Sequence, residues 1–369
     1  MLLMLLLLGC GGGAGQSDET LPIEEPTNFT PITLSGVSTD QGNFDPAPTL
    51  DEAGSIWMSY SHVSVATSGI AQVETRLATT SDAGLSWQDV GIKVNAASSL
   101  SLPTPLDVNT VTHEVSRLVY DPYAVAAGAD PWIMLWHRYL AVLSGTQTLR
   151  LFQHGWIAMK SGPTAMSLGG ERKLFTGAYY DSVNDADAFG SPVYPLDSLY
   201  PTALGGCDVF TEPGILVKSN GIYVSLSCVG LSTPGKVILL RCAHDMNGCH
   251  YVGDLLQNAE ASYLQADFDA FSASELVSVS GQDYLMVTPS ISTSDIYRGC
   301  VAYKITDLDS ATVERDAGMP VSSLVVEPHG DFNGACGYIP ALTGSGILIS
   351  EAFVGQTPIF RIFSTDKRL

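Results

Sequence analysis

Five times along this chain an extended segment runs into a glycine turn and returns as an apolar strand. Asp45-Pro46 precedes Gly54 and "SIWMSY", and Glu212-Pro213 precedes Gly221 and "IYVSLS". Asp121-Pro122 stands before Gly128 and "PWIMLW", Glu275 before Gly281 and "DYLMVT", and Gly337 before Gly346 and "ILISEA". The units start near residues 45, 121, 212, 275 and 337, at intervals of roughly 60 to 90 residues, so repetition constrains the fold more than any single segment does. A further pair of strands follows within a unit, such as "TRLATTS" with "SWQDVG" or "KVILLRC" with "CHYVGDLL". Four strands per unit is what one blade of a β-propeller requires. The chain is therefore expected to be all-β: a propeller of five blades, closed by "TPITLSG" near the N-terminus or by "FRIFSTD" at the end. Six blades, or a pair of β-sandwiches, are the alternatives.

Sustained helical periodicity is nearly absent, and the short β-branched and aromatic runs are punctuated by Gly, Asn, Asp and Pro. The chain's 369 residues suffice for one large all-β domain. With 45% hydrophobic and 15% charged residues it carries too little charge for disorder. The net charge of −21 argues against a nucleic-acid partner, because phosphate backbones are bound by clustered Lys and Arg.

"MLLMLLLLGC" is too short to span a bilayer, which needs about 20 apolar residues, and fits the core of an export signal. Leu7-Leu8-Gly9-Cys10 resembles the lipobox of bacterial lipoproteins, although no Lys or Arg precedes the apolar run. That resemblance implies lipidation at Cys10, residues 1–10 as signal, 11–27 as a flexible tether, a propeller over 28–369, and an exported, membrane-anchored protein on the periplasmic or cell-surface side. Without Cys10, six cysteines remain: Cys207, Cys228, Cys242, Cys249, Cys300 and Cys336. An even set in an exported chain suggests disulfides, with 15 possible connectivities. Cys242 and Cys249 bracket a turn-like "AHDMNG"; Cys207 with Cys228 and Cys300 with Cys336 are the natural remaining pairs. Zinc is the rival, given His244 and His250, but no C-x-x-C spacing is present.

Thr80-x-Asp82-x-Gly84-x-Ser86-Trp87 resembles the Asp-box (BNR-type repeat) of sialidases and several other propeller families. An Asp can accept backbone N–H groups across a tight turn, Gly supplies a conformation other residues resist, and Trp fills space between blades. In those families the box is usually a folding device, so it is expected to bear on fold alone.

In a propeller the inner strands converge on a central tunnel, so Asp45, Asp121, Glu212 and Glu275 are expected to meet at its mouth. A ring of carboxylates suits glycoside hydrolysis, which needs one protonated and one ionised carboxyl; crowding like charges separates their pKa values. "NFDPAPTLDEAGSIWMSYS" and "FTEPGILVKSNGIYVSLS" resemble segments of five-bladed glycosidases of the arabinanase/xylosidase type. The resemblance implies Asp45 as general base and Glu275 or Glu212 as general acid, with Asp121 or Glu212 as a third carboxylate and inversion as the outcome. Glu212 departs from that pattern in lying in the third unit with Pro directly after it; Glu275 holds the fourth-unit place without the Pro. Asp-Pro and Glu-Pro also start ordinary turns, where a carboxylate only holds backbone donors.

A sialidase-type exo-glycosidase would need arginines gripping a substrate carboxylate, and Arg117, Arg241 and Arg298 stand in different units. A non-catalytic surface propeller that binds glycan or protein is the reading from another class. "DSVNDADAFG" (Asp181 to Gly190) spaces oxygen ligands as calcium would like but lacks the closing Glu, so no cofactor or metal is expected. His113, His137, His244 and His329 read as polar core or surface residues, and Trp136 and Tyr139 as blade packing or sugar platforms. Nucleotide loops, G-x-S-x-G elbows and H-E-x-x-H are absent from the sequence.

Overall fold

A computed structural model describes residues 27–38, 41–66, 68–99, 108–144, 147–181, 190–231, 233–292, 296–328, 332–344, 346–353 and 359–369. Cys10, the expected signal and nearly all of the tether lie outside these residues, as do His329 and most of the Asp181 to Gly190 loop.

The described strands form five blades, mainly antiparallel, as the repeat predicts. β1 (Phe29–Pro31) belongs to the last blade. The first blade holds β2 (Thr33–Ser35), β3 (Asn43–Leu50), β4 (Ile56–Val65), β5 (Ala71–Thr80) and β6 (Ser86–Asn95). The second holds β7 (Asn109–Tyr120), β8 (Trp132–Ser144), β9 (Gln147–Gly162), β10 (Arg172–Thr176) and β11 (Tyr194–Pro195). Two helical turns, α1 (Leu196–Leu199) and α2 (Pro201–Leu204), lead to the third: β12 (Val209–Lys218), β13 (Gly221–Val229), β14 (Lys236–Cys242) and β15 (His250–Gln257). The fourth is built from β16 (Ala270–Val279), β17 (Gln282–Ile291), β18 (Ile296–Tyr297), β19 (Cys300–Asp307), β20 (Thr312–Val313) and β23 (Ser322–Val326). A hairpin of β21 (Arg315–Asp316) and β22 (Met319–Pro320) sits between the last two of these. The fifth holds β24 (Phe332–Tyr338), β25 (Ile347–Phe353) and β26 (Ile359–Thr365).

Closure falls to the N-terminus. β1 pairs antiparallel with β26, so the first described strand becomes the outermost strand of the last blade, and Ile32 N–H donates to the Ile362 carbonyl. β2 then joins the first blade, parallel to β6.

The core lies between blades. Leu77, Leu118, Trp132 and Trp136 pack the first against the second. Leu135, Ile157, Ile215 and Val224 pack the second against the third, and Met58, Trp87, Leu348 and Ile362 the fifth against the first. Flat apolar strand faces that would otherwise meet water explain why no blade stands alone. The disulfides are Cys207–Cys228, Cys242–Cys249 and Cys300–Cys336, the last joining the fourth blade to the fifth.

Between β5 and β6, Thr80 Oγ1 accepts the Gly84 N–H at 3.0 Å, and an Asp82 oxygen accepts the Ser86 N–H at 2.9 Å. Trp87 Nε1 donates to the Gly84 carbonyl at 3.1 Å, and its ring is 1% exposed. The stretch builds a turn that anchors a blade-packing tryptophan.

Candidate active site

The inner strands β3, β7, β12, β16 and β24 share one irregularity. Each slips register against its neighbour: between Phe44 and Ala47, Glu114 and Arg117, Thr211 and Gly214, Ser272 and Glu275, and Gly334 and Gly337. The first residue of each bulge has positive φ: Asp45 (53°), Val115 (49°), Glu212 (54°), Ala273 (48°) and Ala335 (52°). Non-glycine residues resist that region at a cost of about 1–3 kcal/mol, so something must hold them there. A bulge also leaves its N–H outside the ladder, and a buried N–H requires a partner.

The preceding blade supplies it. Ser350 Oγ accepts the Asp45 N–H at 2.7 Å, and Thr288 Oγ1 accepts the Ala335 N–H at 2.8 Å. Val115 N–H reaches Asp45 Oδ2 at 3.1 Å and Ser61 Oγ at 3.3 Å; Ala273 N–H reaches Glu212 Oε2 at 2.7 Å. At four of the five bulges, those of the first, second, fourth and fifth blades, the preceding blade thus holds the buckled N–H at the tunnel mouth.

The same bulges present acids. Asp45 lies on the first inner strand, Glu114 beside the second bulge and Glu212 on the third. Burial, and then the charge of Glu114, push the Asp45 carboxyl up to about 7 against the opposing pull of Ser61, Arg117 and the Val115 N–H. Glu212 is also raised, first by burial and further by Glu114, while the Ala273 N–H, Ser272 and Arg150 oppose the rise. Glu114 and Glu212 open into a cleft of about 680 Å³ shared by the second, third and fourth blades, with His137, Arg150, Phe152, Phe271 and Tyr297 on its walls. Asp45 does not line this cleft and is 4% exposed. His137 is held down at about 3 by burial and by Arg150, so its ring is neutral. Tyr139, stacked edge-on against Phe152, is kept protonated by burial and Glu114.

Two expected carboxylates sit elsewhere. Asp121 follows the far end of β7, six residues past Val115 and so roughly 20 Å along a strand from the bulge. It binds His244 Nδ1 at 2.8 Å and the Tyr123 N–H at 2.8 Å. The sequence places it at a unit start because an Asp-Pro turn precedes Gly128, but that turn closes the β7–β8 hairpin at the opposite end. Glu275 does belong to the inner ring, yet one layer below the acids, where it forms a buried ion pair with Arg117 across the tunnel. Burial nevertheless raises Glu275 to about 7. The arginines do not converge. Arg117 is on β7, and Arg241 binds Asp309 and the Asn220 carbonyl at the end away from the bulges. Arg298 forms a bridge with Asn333 between the fourth and fifth blades.

Glu114, Arg150 and His137 join the cleft without having been singled out as its residues. The alternation in "TVTHEVSRLVY" marks β7 as a strand and was the available signal for Glu114. Among the described residues no group of three or more His, Cys, Asp or Glu is placed to hold a metal ion.

No protein-family model matches the sequence, and no curated protein matches it. Solved structures do share its shape. A family 117 glycoside hydrolase from the marine bacterium Zobellia galactanivorans aligns with a TM-score of 0.51 at 12% identity, covering 92% of this chain and 90% of that one. A GH32 beta-fructofuranosidase of Bombyx mori gives 0.49 at 10% identity, over 92% of this chain and 62% of that one. An endo-arabinase from Bacteroides thetaiotaomicron gives 0.46 at 12%, over 93% and 100%. At such identities the likeness is one of fold, a five-bladed propeller.

Proposed function

We propose that the protein is a glycoside hydrolase working in the cleft at the tunnel mouth. One observation carries this reading: Asp45 and Glu212 stand at the bulges of the first and third inner strands and Glu114 beside that of the second, close enough for Glu114 to raise both others. Glu212, in the cleft with a raised pKa, suits the general acid that protonates the leaving oxygen. Asp45, once ionised, suits the base that activates water; Glu114 lies between them in the ring and tunes both. Carbohydrate is then the partner, and the solved glycosidases of this shape support that class. Inversion would follow if Asp45 and Glu212 stand far enough apart to admit a water. Export with a lipid anchor at Cys10 completes the proposal, resting on the Leu-Leu-Gly-Cys sequence alone.

A specific observation favours a second reading, a glycan-binding propeller without turnover. Asp45 is nearly enclosed, and both Asp45 and Glu212 accept the N–H of the following blade's bulge, a role sufficient to explain them. The test is a screen of aryl glycosides and of arabinan-, xylan- and sialoside-type substrates, with Asp45→Asn, Glu114→Gln and Glu212→Gln in parallel. Turnover lost in Glu212→Gln with the fold intact supports the enzyme. Glycan binding without turnover favours the second reading, and turnover untouched by all three changes removes the site assignment.

A further inference from the structure

Beneath the acidic ring, the next inner-strand position of each blade is Ala47, Arg117, Gly214, Glu275 or Gly337. Three of the five are Gly or Ala, which leaves the axis to the two long side chains. A Cβ on Gly214 would stand 2.8 Å from the Ser274 carbonyl oxygen and 3.0 Å from Glu275 Cα; one on Gly337 would meet the Pro46 carbonyl oxygen at 2.2 Å. The layer has no room for larger residues there. Arg117 (1% exposed) and Glu275 (7%) pair across this layer, from the second blade to the fourth. Among the described residues the Arg117 nitrogens have no hydrogen-bond partner beyond that ion pair. Arg117 lies two residues from Val115, whose N–H is held by Asp45 Oδ2.

We propose that the Arg117–Glu275 bridge positions charge for Asp45: Glu275 holds Arg117 on the axis and sets how much of its positive field reaches the Asp45 carboxylate. The bridge is a positioning pair, and its catalytic meaning rests on Asp45 being the base. An enclosed carboxylate that must ionise needs a compensating cation, and a fully committed Arg supplies less field than a partly committed one. Arg117 already pulls Asp45 downward against burial and Glu114. Four neighbouring strands supply the groups around Asp45. β7 brings Glu114 and Arg117; β4 brings the Ser61 hydroxyl, while the next residue, His62, binds Asn43; β25 brings the Ser350 hydroxyl, while the next residue, Glu351, pairs in register with Arg361 of β26. β24 approaches with Gly337, against the Pro46 carbonyl, while its Cys336 and Tyr338 pack toward the fourth blade.

The experiment is a carboxyl ¹³C NMR titration of Asp45 in the full chain, its signal assigned by disappearance in Asp45→Asn. Glu275→Gln keeps the shape of the pair and frees the field of Arg117, so the Asp45 midpoint falls by roughly one pH unit. Arg117→Met raises it by a similar amount. In the Arg117→Met background, Glu275→Gln has no further effect, because its influence passes through Arg117. If Arg117→Met fails to fold, Glu275→Gln alone decides. An unmoved or raised Asp45 midpoint in Glu275→Gln overturns the proposal, as does a Glu275→Gln effect that persists without Arg117. The titration reads charge and not turnover, so an inactive wild type would count against the hydrolase and leave this result standing.

Discussion

Burial does more than charge at the acids of the tunnel mouth, and this gives them a pH signature. Asp45 and Glu275, ordinarily at 3.8 and 4.5, are both pushed to about 7 in the fold. A group whose folded pKa is raised stabilises the fold fully below its unfolded value and loses that contribution as pH rises through the folded value. The protein should therefore lose stability between about pH 4 and pH 7, each group contributing a fall of up to about 1.4 kcal/mol for every pH unit crossed. Urea midpoints at pH 5 and pH 8 will show this, and the fall will be smaller in Asp45→Asn. The chemistry gives a second prediction. If Glu212 protonates the leaving oxygen, Glu212→Gln lowers kcat by about 10² to 10⁴ on poor leaving groups and far less on aryl glycosides that need no proton. Equal losses on both would remove Glu212 from that role. Trp87 belongs to packing instead: it is 1% exposed, so Trp87→Ala should cost about 3–5 kcal/mol in chemical denaturation without touching the cleft.

The inner-strand bulge is the element on which everything else hangs. In four of the five blades its N–H is carried by a hydroxyl or carboxylate of the preceding blade, so Ser350→Ala or Thr288→Val should cost about 1–3 kcal/mol by stranding a buried donor. A denaturation midpoint unchanged in both would mean that water takes over the contact. The Cys300–Cys336 bridge closes 36 residues of chain between two blades. Its replacement by a Ser pair should cost about 3–4 kcal/mol, measured under non-reducing conditions. At this scale the sequence was legible where strands were concerned and less so for the bulges. The hydroxyls of "MSYSHV", "MVTPS" and "LISEA" recur at matching places, but their use depends on the neighbouring blade. Asp121 shows the limit. An Asp-Pro turn before Gly looks the same at either end of a hairpin, and only strand direction distinguished the tunnel mouth from the opposite face.

Across the whole molecule, the ring closes through a strand of three residues, Phe29–Pro31, against β26. Each blade buries its faces only against neighbours, so an open ring exposes two apolar faces at once. Deleting residues up to 31 should lower the cooperativity of unfolding and promote association, read by light scattering and by the denaturant slope. What the sequence determined by itself was local or periodic. Alternation gave strands, the repeat gave the number of blades, and cysteine spacing suggested the staples. Strand periodicity and turn chemistry act over a few residues and survive without knowledge of the rest of the chain. Which carboxylates share a field was decided by tertiary structure alone. Asp45, Glu114 and Glu212 lie far apart along the chain and meet because inner strands converge on one axis. Arg117 finds Glu275 because the positions between them are too small to fill that axis. Coulomb interaction and desolvation depend on distance in space and on exclusion of water, and neither is written in the order of residues.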